Sequence, residues 1–308
     1  MIKSSLARAN QDRDYHIFEE YAYYLVSEAR QKCANHIFKL GGNVYAFDST
    51  TIDLCLSVFW WAKFRKKKGG IKVHTLYDVE TQIPAFFHIT EASVHDSKVM
   101  IEIPYEPSSY YIFDRGYNNF KILYKIHQIE AYFVVRAKKN LGYKSIQWKR
   151  RLPKNVLSDA SVFLTGFYPK QYYPEPLRLV KYWDEEQERE FIFITNAMHI
   201  SALQVAELYK NRWQVELFFK WLKQHLKIKR FWGTTENAVR IQIYAAICAY
   251  CLVAIIQHDM QLNRSTYEVL QILSISLTDK THLRDLFNKT KFQNDKERFG
   301  PNGPRLFN

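Results

Sequence analysis

The chain has 308 residues, of which 47% are hydrophobic and 16% aromatic, enough to build a sizeable folded core. This composition excludes a chain that is disordered throughout, because disordered chains are poor in aromatic residues. Lys and Arg total 44 against 31 Asp and Glu, and the net charge of +13 favours nucleic acid or an anionic membrane surface as partner. A merely basic, soluble protein is the alternative that charge alone leaves open.

The first predicted elements build one half of a sheet. Residues 14–37 carry apolar residues at three- and four-residue spacing and predict a helix, which Gly41-Gly42 ends. The segment VYAFDST then predicts a buried strand that ends at Asp48. The basic run KFRKKKGG (63–70) is predicted to be a loop or hairpin connection, and IKVHTLYDV and AFFHIT predict two further strands.

The next unit predicts parallel strands. The segment SSYYIFDRGY predicts a strand that ends at Asp114, and a helix and the strand AYFVVRAK follow it. Strand, helix and strand in this order are typical of a parallel pair, so the sheet is predicted to be mixed. Between residues 141 and 190, short aromatic and β-branched runs alternate with Pro clusters and predict a β-rich insertion.

The last third of the chain is predicted to be mainly helical. After the strand EFIFITNA, Ser201 is predicted to cap a long helix that reaches about Lys229, and a second helix covers 236–258. The predicted fold is therefore α/β. Five parts are predicted, namely an N-terminal helical segment, a first part of the core, the β-rich insertion, a second part of the core with helices, and a C-terminal helix and tail, over residues 1–40, 41–140, 141–190, 191–260 and 261–308.

Nothing in the sequence indicates secretion or a membrane span. The N-terminus has no apolar segment typical of a signal peptide, and the longest apolar stretch, residues 241–256, is short for a span. Cys248 and Cys251 lie inside this stretch, and no second Cys or His pair stands at zinc-finger spacing. We therefore predict a buried core helix and a cytoplasmic protein without a membrane partner.

Three acidic residues lie where carboxylates can converge. Asp48 and Asp114 each end a predicted strand, and Glu216 lies in the middle of a predicted helix. Carboxylates are hard oxygen ligands that suit Mg²⁺, and two such ions about 3.5–4 Å apart support in-line phosphoryl transfer. For each acid taken alone, a turn-capping Asp or a Glu in a surface ion pair is the ordinary alternative.

The helix around Glu216 favours the catalytic interpretation. At about 3.6 residues per turn, six residues fall on one narrow polar stripe. These are Tyr209, Arg212, Glu216, Lys220, Lys223 and Lys227. The remaining faces are apolar, which predicts that the helix is buried and that the stripe lines a cleft. The flanking apolar residues are Leu208, Val215, Leu217, Phe218, Trp221, Leu222, Leu226 and Ile228. A plain Glu216–Lys220 ion pair is the alternative.

The spacing Tyr209-x2-Arg212-x3-Glu216-x6-Lys223 resembles the Tyr-Arg-Glu-Lys signature of bacterial insertion-sequence transposases of the IS-four family. The segments FDST, GGIKVHTLYD, ASVHDSK and FDRGY are similar to the surroundings of that family's catalytic core. The resemblance covers about residues 40–258. It implies an RNase H-like (ribonuclease H-like) mixed sheet with flanking helices and a β-rich insertion before the last catalytic helix.

The resemblance also implies a catalytic and metal-binding triad of Asp48, Asp114 and Glu216 with two Mg²⁺ ions, for which Mn²⁺ would substitute. By their positions in the signature, Tyr209, Arg212 and Lys223 would contact phosphates near the cleaved DNA end. The basic stripe of the helix predicts the same role for Lys220 and Lys227. The reaction would be cleavage and strand transfer at the ends of an insertion sequence.

The implied partners are double-stranded DNA, as terminal inverted repeats and as target, and a second copy of the chain when DNA is bound. The implied location is the bacterial cytoplasm, at the nucleoid. Family members usually carry an N-terminal DNA-binding region, and fewer than 50 residues precede Asp48 here. A catalytically idle or truncated DNA-binding relic that occupies element ends is therefore an alternative. A plain RNase H-like nuclease is disfavoured by the insertion and by the signature helix.

Three weaker signals have two interpretations each. The run KFRKKKGG either contacts DNA or forms a solvated loop. His95 and Asp96 resemble a pair of metal ligands, but Asp96 is predicted instead to be the N-cap of a short helix. Tryptophan at helical spacing is predicted to be core, with stacking on extruded bases as the alternative. This concerns Trp213, Trp221 and Trp232.

Overall fold

The computed structural model describes residues 3–34, 38–65, 68–225, 231–264, 266–276 and 280–289. Lys227, Leu226 and Ile228 of the predicted stripe and its flanks lie outside the described residues, as do Lys66 and Lys67 of the basic run. The chain divides into two compact units, Met1–Cys251 and Leu252–Asn308.

All the described strands belong to one ten-stranded mixed sheet in the first unit. They are β1 (Val44–Leu54), β2 (Lys63–Arg65), β3 (Lys68–Asp78), β4 (Ile83–Glu91), β5 (Tyr110–Phe113), β6 (Tyr132–Arg136), β7 (Tyr143–Trp148), β8 (Val156–Leu164), β9 (Leu177–Asp184) and β10 (Arg189–Thr195). The described α-helices are α1 (Lys3–Asp12), α2 (His16–Lys32), α3 (Asp96–Val99), α4 (Phe120–Gln128), α5 (Phe167–Tyr172), α6 (Ala202–Lys210), α7 (Trp213–His225), α8 (Glu236–Asp259), α9 (Thr266–Ile275) and α10 (Leu283–Lys289).

The first half of the sheet has the order β4-β3-β1-β5-β6. β3 pairs antiparallel with β4 and with β1, whereas β5 runs parallel to both β1 and β6. Helix α4 makes the crossover between the parallel strands β5 and β6, as the strand–helix–strand pattern predicts. Three antiparallel strands followed by two parallel strands in this order are the RNase H-like arrangement, so the predicted fold class is confirmed.

The parallel strands are buried because helices and the neighbouring strands cover them. All four residues of β5 are buried, and Phe47 of β1 packs edge-on against Phe113 of β5 at a centroid distance of 6.2 Å. Burial of a phenylalanine side chain stabilises the fold by about 1.5–3 kcal/mol. Leu123 and Ile126 of α4 belong to the same cluster. Phe47 and Phe113, which belong to this core, directly precede Asp48 and Asp114 in the chain.

The β-rich stretch predicted between residues 141 and 190 continues the same sheet. β10 pairs antiparallel with β6, and β9, β8 and β7 follow outward in antiparallel pairs. A buried ion pair joins β9 to β8, with Arg178 Nε at 2.7 Å from Asp159 Oδ1 and Nη2 at 2.8 Å from Oδ2. Arg178 also donates to the carbonyls of Ala197 and Ile200, which fixes the connection between β10 and α6.

The single helix predicted from Ser201 to about Lys229 is wrong in one respect, because the structure divides it into α6 and α7. Ser201 caps α6 through a reciprocal pair of hydrogen bonds with Gln204, as predicted. At the break, Asn211 Nδ2 donates to the Glu207 carbonyl at 2.9 Å and Asn211 Oδ1 accepts from Gln214 at 2.8 Å. These side-chain hydrogen bonds compete with the regular helical bonds, as is typical of Asn.

Among the described residues, one helix, α8, is long and apolar enough by length and composition to cross a membrane. More than half of its most apolar window is buried inside the protein, which supports the predicted core helix. Cys248 and Cys251 are buried as free thiols. In the second unit, the end of α8 packs with α9 and α10 through Val253, Val269 and Phe287.

Candidate active site

The register between β1 and β5 brings the two aspartates together. Phe47 of β1 is paired with Phe113 of the parallel strand β5, so the next residues, Asp48 and Asp114, lie side by side. Adjacent strands are about 4.8 Å apart. Asp114 directly follows its strand, as predicted. The prediction that Asp48 ends its strand is wrong, because β3 pairs with β1 as far as Leu54.

Glu216 reaches the same place from α7, which packs against β1 and β3. Arg212, at the break before α7, connects Glu216 to Asp48. Its Nη1 donates to Asp48 Oδ2 at 2.8 Å, and its Nη2 donates to Glu216 Oε1 at 2.5 Å. The predicted stripe therefore does place Arg212 and Glu216 against the first aspartate.

Tyr209 connects the other aspartate to α6. Its hydroxyl donates to Asp114 Oδ1 at 2.9 Å, and its ring packs against Phe193 of β10 at a centroid distance of 4.7 Å. Burial, reinforced by the charge of Asp114, raises the pKa of Tyr209 to about 12. The phenol is therefore protonated at neutral pH and acts as a donor to the carboxylate.

The pKa of Asp48 reflects its burial and the charges around it. Burial is the largest cause that raises the pKa of Asp48 to about 6. The Arg212 guanidinium and the Ser49 backbone N–H lower it, and the charges of Glu216 and Asp114 raise it again. Like charges held this close favour a bound proton or a bound cation.

A second cluster lies beside Asp48, and the sequence prediction missed it. Asp96 Oδ1 accepts hydrogen bonds from Ser49 Oγ at 2.6 Å and from Lys72 Nζ at 3.1 Å, and it lies 3.8 Å from Nδ1 of the fully buried His74. The prediction that Asp96 caps a helix is wrong, because the cap of α3 is His95, whose side chain accepts from the backbone N–H of Ser97. The segment ASVHDSK, which is similar to the surroundings of the family's catalytic core, was the sequence feature that could have indicated this cluster.

The lysines of the stripe have different surroundings. Lys223 Nζ donates to the carbonyl of Thr51 in β1 at 2.9 Å, and Lys220 is exposed. The prediction of a helix buried on both flanks is wrong at Leu217, which is 44% exposed. Trp213 and Trp232 are also exposed, so the prediction that they are core residues is wrong.

Across the part of the chain that the structure describes, no three His, Cys, Asp or Glu side chains are close enough together to enclose a metal ion. The carboxylates are instead held by two separate donors, with Arg212 between Asp48 and Glu216 and Tyr209 on Asp114. Mg²⁺ usually binds one or two carboxylates and completes its ligands with water and substrate phosphates, so it needs no complete protein cage.

Comparison with known proteins identifies the family of this chain. Residues 39–252 match the family model described as "Transposase DDE domain". The chain is 36% identical over 246 residues to "Putative transposase y4zB" of Sinorhizobium fredii, which covers 78% of this chain and 67% of that protein. It is 27% identical over 249 residues to "Probable transposase for insertion sequence element IS5377" of Geobacillus stearothermophilus, over 81% of this chain and 66% of that protein.

A solved structure, the cryo-EM structure of the piggyBac transposase synaptic complex with hairpin DNA, matches with a TM-score of 0.47 and 13% identity. The match covers 82% of this chain and 55% of that chain. This chain thus spans about two thirds of the length of the two relatives and just over half of the piggyBac chain.

An RNase H-like sheet that carries acidic residues side by side on two neighbouring central strands, here Asp48 within β1 and Asp114 directly after β5, is characteristic of the class of DDE nucleotidyltransferases. The chain belongs to the family of DDE transposases, since the family match covers more than two thirds of its residues. The activity of this family is DNA transposition and its partner is DNA. Divalent metal ions are the cofactors that the family generally uses. The alternative of an idle DNA-binding relic is not favoured.

Proposed function

We propose that the chain cleaves DNA at the ends of an insertion sequence of the IS-four type and joins the freed ends to target DNA. The proposed catalytic residues are Asp48, Asp114 and Glu216. One observation carries the proposal: the β1–β5 register sets Asp48 beside Asp114, and Arg212 ties Glu216 to Asp48.

Two Mg²⁺ ions, or Mn²⁺ in their place, are the proposed cofactors of this centre, with Asp48, Asp114 and Glu216 as the protein ligands. The donor set fits, since carboxylate oxygens are the ligands that these hard cations prefer. Arg212 is the one cation that the described residues place between Asp48 and Glu216, so the acidic groups outnumber it. When bound, the ions would activate the attacking oxygen and stabilise the leaving oxygen of a phosphodiester.

The chain's own residues supply orientation. Arg212 fixes one oxygen each of Asp48 and Glu216, and Tyr209 fixes one oxygen of Asp114. Both donors remain protonated at neutral pH, because the pKa of Tyr209 is about 12 and the neighbouring carboxylates outweigh burial in raising the pKa of Arg212. Carboxylates held in this way need little rearrangement when a phosphodiester enters.

Five residues are proposed to bind phosphates near the cleaved position. They are Tyr209, Arg212, Lys220, Lys223 and Lys227. Lys220 supports this role because it is exposed on α7, one helical turn beyond Glu216. Arg212 supports it because its Nε–H, a buried donor, has no acceptor among the described residues. A phosphate oxygen would satisfy such a donor, and Arg is well suited to phosphate.

The proposed partners are the terminal inverted repeats of the element and a target duplex, with two copies of the chain holding two ends. The proposed location is the bacterial cytoplasm, at the nucleoid. The net charge of +13 supports association with a polyanion of this kind.

The test is a nicking and joining assay on DNA that carries the element ends, with Mg²⁺, with Mn²⁺ and with EDTA. Asp48→Asn, Asp114→Asn and Glu216→Gln should each lower the nicking rate by more than roughly 100-fold, since even outer-shell changes at metal sites cost 10–100-fold. DNA affinity should be retained. Near-normal nicking by Glu216→Gln would remove it from the triad, and binding without nicking by the wild type would identify a relic.

A further inference from the structure

The stretch from residue 131 to 158 has an unusual charge pattern, with eight basic residues and no Asp or Glu. The bases are Arg136, Lys138, Lys139, Lys144, Lys149, Arg150, Arg151 and Lys154. The chain as a whole carries 31 acidic residues, yet this stretch contains none. The stretch therefore has a local excess of positive charge compared with the rest of the chain.

The fold places this stretch at one end of the sheet. It contains β7 and the loops on both sides of it, and β7 is the last strand in the sheet order, paired with β8 on one side. Two of the bases are neutralised locally, Lys149 by Asp159 at 3.1 Å and Lys154 by Glu185 at 3.1 Å.

Five other bases of the stretch are exposed and form no ion pair with any residue that the structure describes. We call these residues the basic edge; they are Lys138, Lys139, Lys144, Arg150 and Arg151. Their charges are therefore available to a partner from outside the chain.

Apolar side chains are interleaved with these charges. Trp148 is 62% exposed and Ile146 is 49% exposed, and Tyr143 is also exposed. On β8, the exposed Phe163 is the pair of Lys144. Charged residues alone would protect an edge strand from pairing with another chain, but exposed Trp and Ile work against such protection. Exposed apolar residues rimmed by like charges are typical of a contact surface.

We propose that the basic edge binds the sugar-phosphate backbone of duplex DNA, as a contact separate from the catalytic centre. The charge complementarity is direct, because a duplex carries about one negative charge per 1.7 Å of its axis. β7 lies six strands from β1 in the sheet order, or about 30 Å at the spacing between strands. That distance corresponds to about nine base pairs of a duplex, so one bound DNA can reach both places.

This inference rests on the proposed function only in that the DNA bound here is the DNA to be cut. The backbone contact itself reads no sequence, since phosphate contacts position a duplex and base contacts specify it. Trp148, which is exposed beside Arg150 and Arg151 in the chain, would pack against the sugars at the rim of the contact.

The experiment compares two triple variants of the full chain. The first is Lys144→Gln, Arg150→Gln and Arg151→Gln in the basic edge. The matched control removes the same charge on the helical side, through Lys121→Gln, Lys125→Gln and Lys170→Gln, which are also exposed. Circular dichroism and thermal unfolding check that both variants fold.

The readout is the dependence of duplex binding on salt, for an end-containing and an unrelated duplex. Three lost phosphate contacts should lower the slope of log K against log salt by about 2.7 in the first variant, equally on both duplexes, and leave it unchanged in the control. Equal slopes in both triple variants would overturn the proposal. A changed oligomeric state in sedimentation with an unchanged slope would assign the edge to contact between copies instead.

The outcome is independent of catalysis, since binding is measured without Mg²⁺ and with the Glu216→Gln background in parallel. If nicking fails in the wild type while the slope falls in the first variant, the proposed function is wrong and the DNA surface remains. If nicking succeeds and the slope does not change, the surface is wrong and the function remains.

Discussion

Arg212 donates one hydrogen bond to Asp48 and another to Glu216, which are 168 residues apart in the chain. The two bonds leave from the two terminal nitrogens of one planar guanidinium, at 2.8 Å and 2.5 Å. The relative position of two proposed metal ligands, one on a strand and one on a helix, is thus set by a single rigid group. A lysine at this position has one nitrogen on a flexible stem and cannot reproduce the fork.

Arg212→Lys should therefore lower the nicking rate by roughly 10–100-fold, the range found for residues that orient metal ligands. DNA affinity should change by much less, because the positive charge is kept. Single-turnover nicking and binding measured side by side would separate the two effects. Arg240→Lys, in an ion pair with Glu236 on α8, is the matched control and should cut normally. A normal rate for Arg212→Lys would show that the bridge does not position the carboxylates.

Tyr209→Phe removes the hydroxyl that donates to Asp114 and leaves the ring packed on Phe193. A hydrogen bond to a charged group contributes about 1.5–3 kcal/mol, so nicking should fall by roughly 10–100-fold if the bond orients Asp114. The midpoint of thermal unfolding should change little, because the packing is kept. Tyr124→Phe, whose hydroxyl is bound to Glu175 at the surface, is the control. A drop in stability that accounts for the lost activity would indicate a structural role.

The cluster beside Asp48 should act on the reaction through Ser49. Asp96→Asn weakens the charge-assisted bond from Lys72 and Ser49→Ala removes the bond to Asp96, so each should reduce kcat by roughly 10-fold with little change in KM for DNA. Asp14→Asn, an exposed acid near the N-terminus, is the control. An unchanged kcat in both variants would show that the cluster has only a structural role. Asp96 is in this sense a positioning residue.

The buried pair of Arg178 and Asp159 should dominate the acid sensitivity of the insertion. Burial alone would raise the pKa of Asp159, but hydrogen bonds from Arg178 and Lys149 outweigh it and lower the pKa below its ordinary value. For a carboxylate with a lowered pKa, the stabilisation is present above the unfolded pKa of about 3.9 and is lost as the pH falls through the folded pKa.

Asp159→Asn should accordingly lower the free energy of unfolding by about 3–5 kcal/mol near pH 7, since it leaves a buried charge unpaired. The difference from the wild type should shrink below about pH 4. Urea unfolding at a series of pH values measures both quantities. Glu186→Gln, in an exposed pair with Lys210, should cost less than about 1 kcal/mol. A constant difference at all pH values would show that the charge of Asp159 is not the cause.

The sequence was sufficient to predict the positions of those site residues that are set by the order of the strands. Asp48 and Asp114 each follow a buried aromatic residue, Phe47 and Phe113, and a parallel pair of strands sets such positions side by side. The true end of β1 was not predictable, because it depends on pairing with β3 as far as Leu54. Local patterns report where a strand is buried, but the length of a strand depends on its neighbours.

The structure differs from the sequence prediction in the last third of the chain and beside the active site, and both differences are caused by tertiary contacts. Asn211 interrupts the predicted helix through bonds of its side chain to Glu207 and Gln214, and nothing in the 3.6-residue periodicity reports such bonds. Asp96 looked like a local cap because Asp is favoured there, whereas its partner Ser49 lies 47 residues earlier in the chain. A single sequence carries no signal for that contact beyond the segment in which Asp96 stands.

The hydrogen-bonded ladder from β1 through β6 and β10 to β7 has a mechanical consequence. If the β-rich insertion were joined to the rest of the sheet by a hinge, DNA bound at its outer edge could move freely toward Asp48 or away from it. Here every intervening strand is bonded to the next, so such an approach would require the whole sheet to bend or a row of backbone bonds to break. If the basic edge holds DNA as proposed, the continuous sheet keeps the distance between that contact and Asp48 constant.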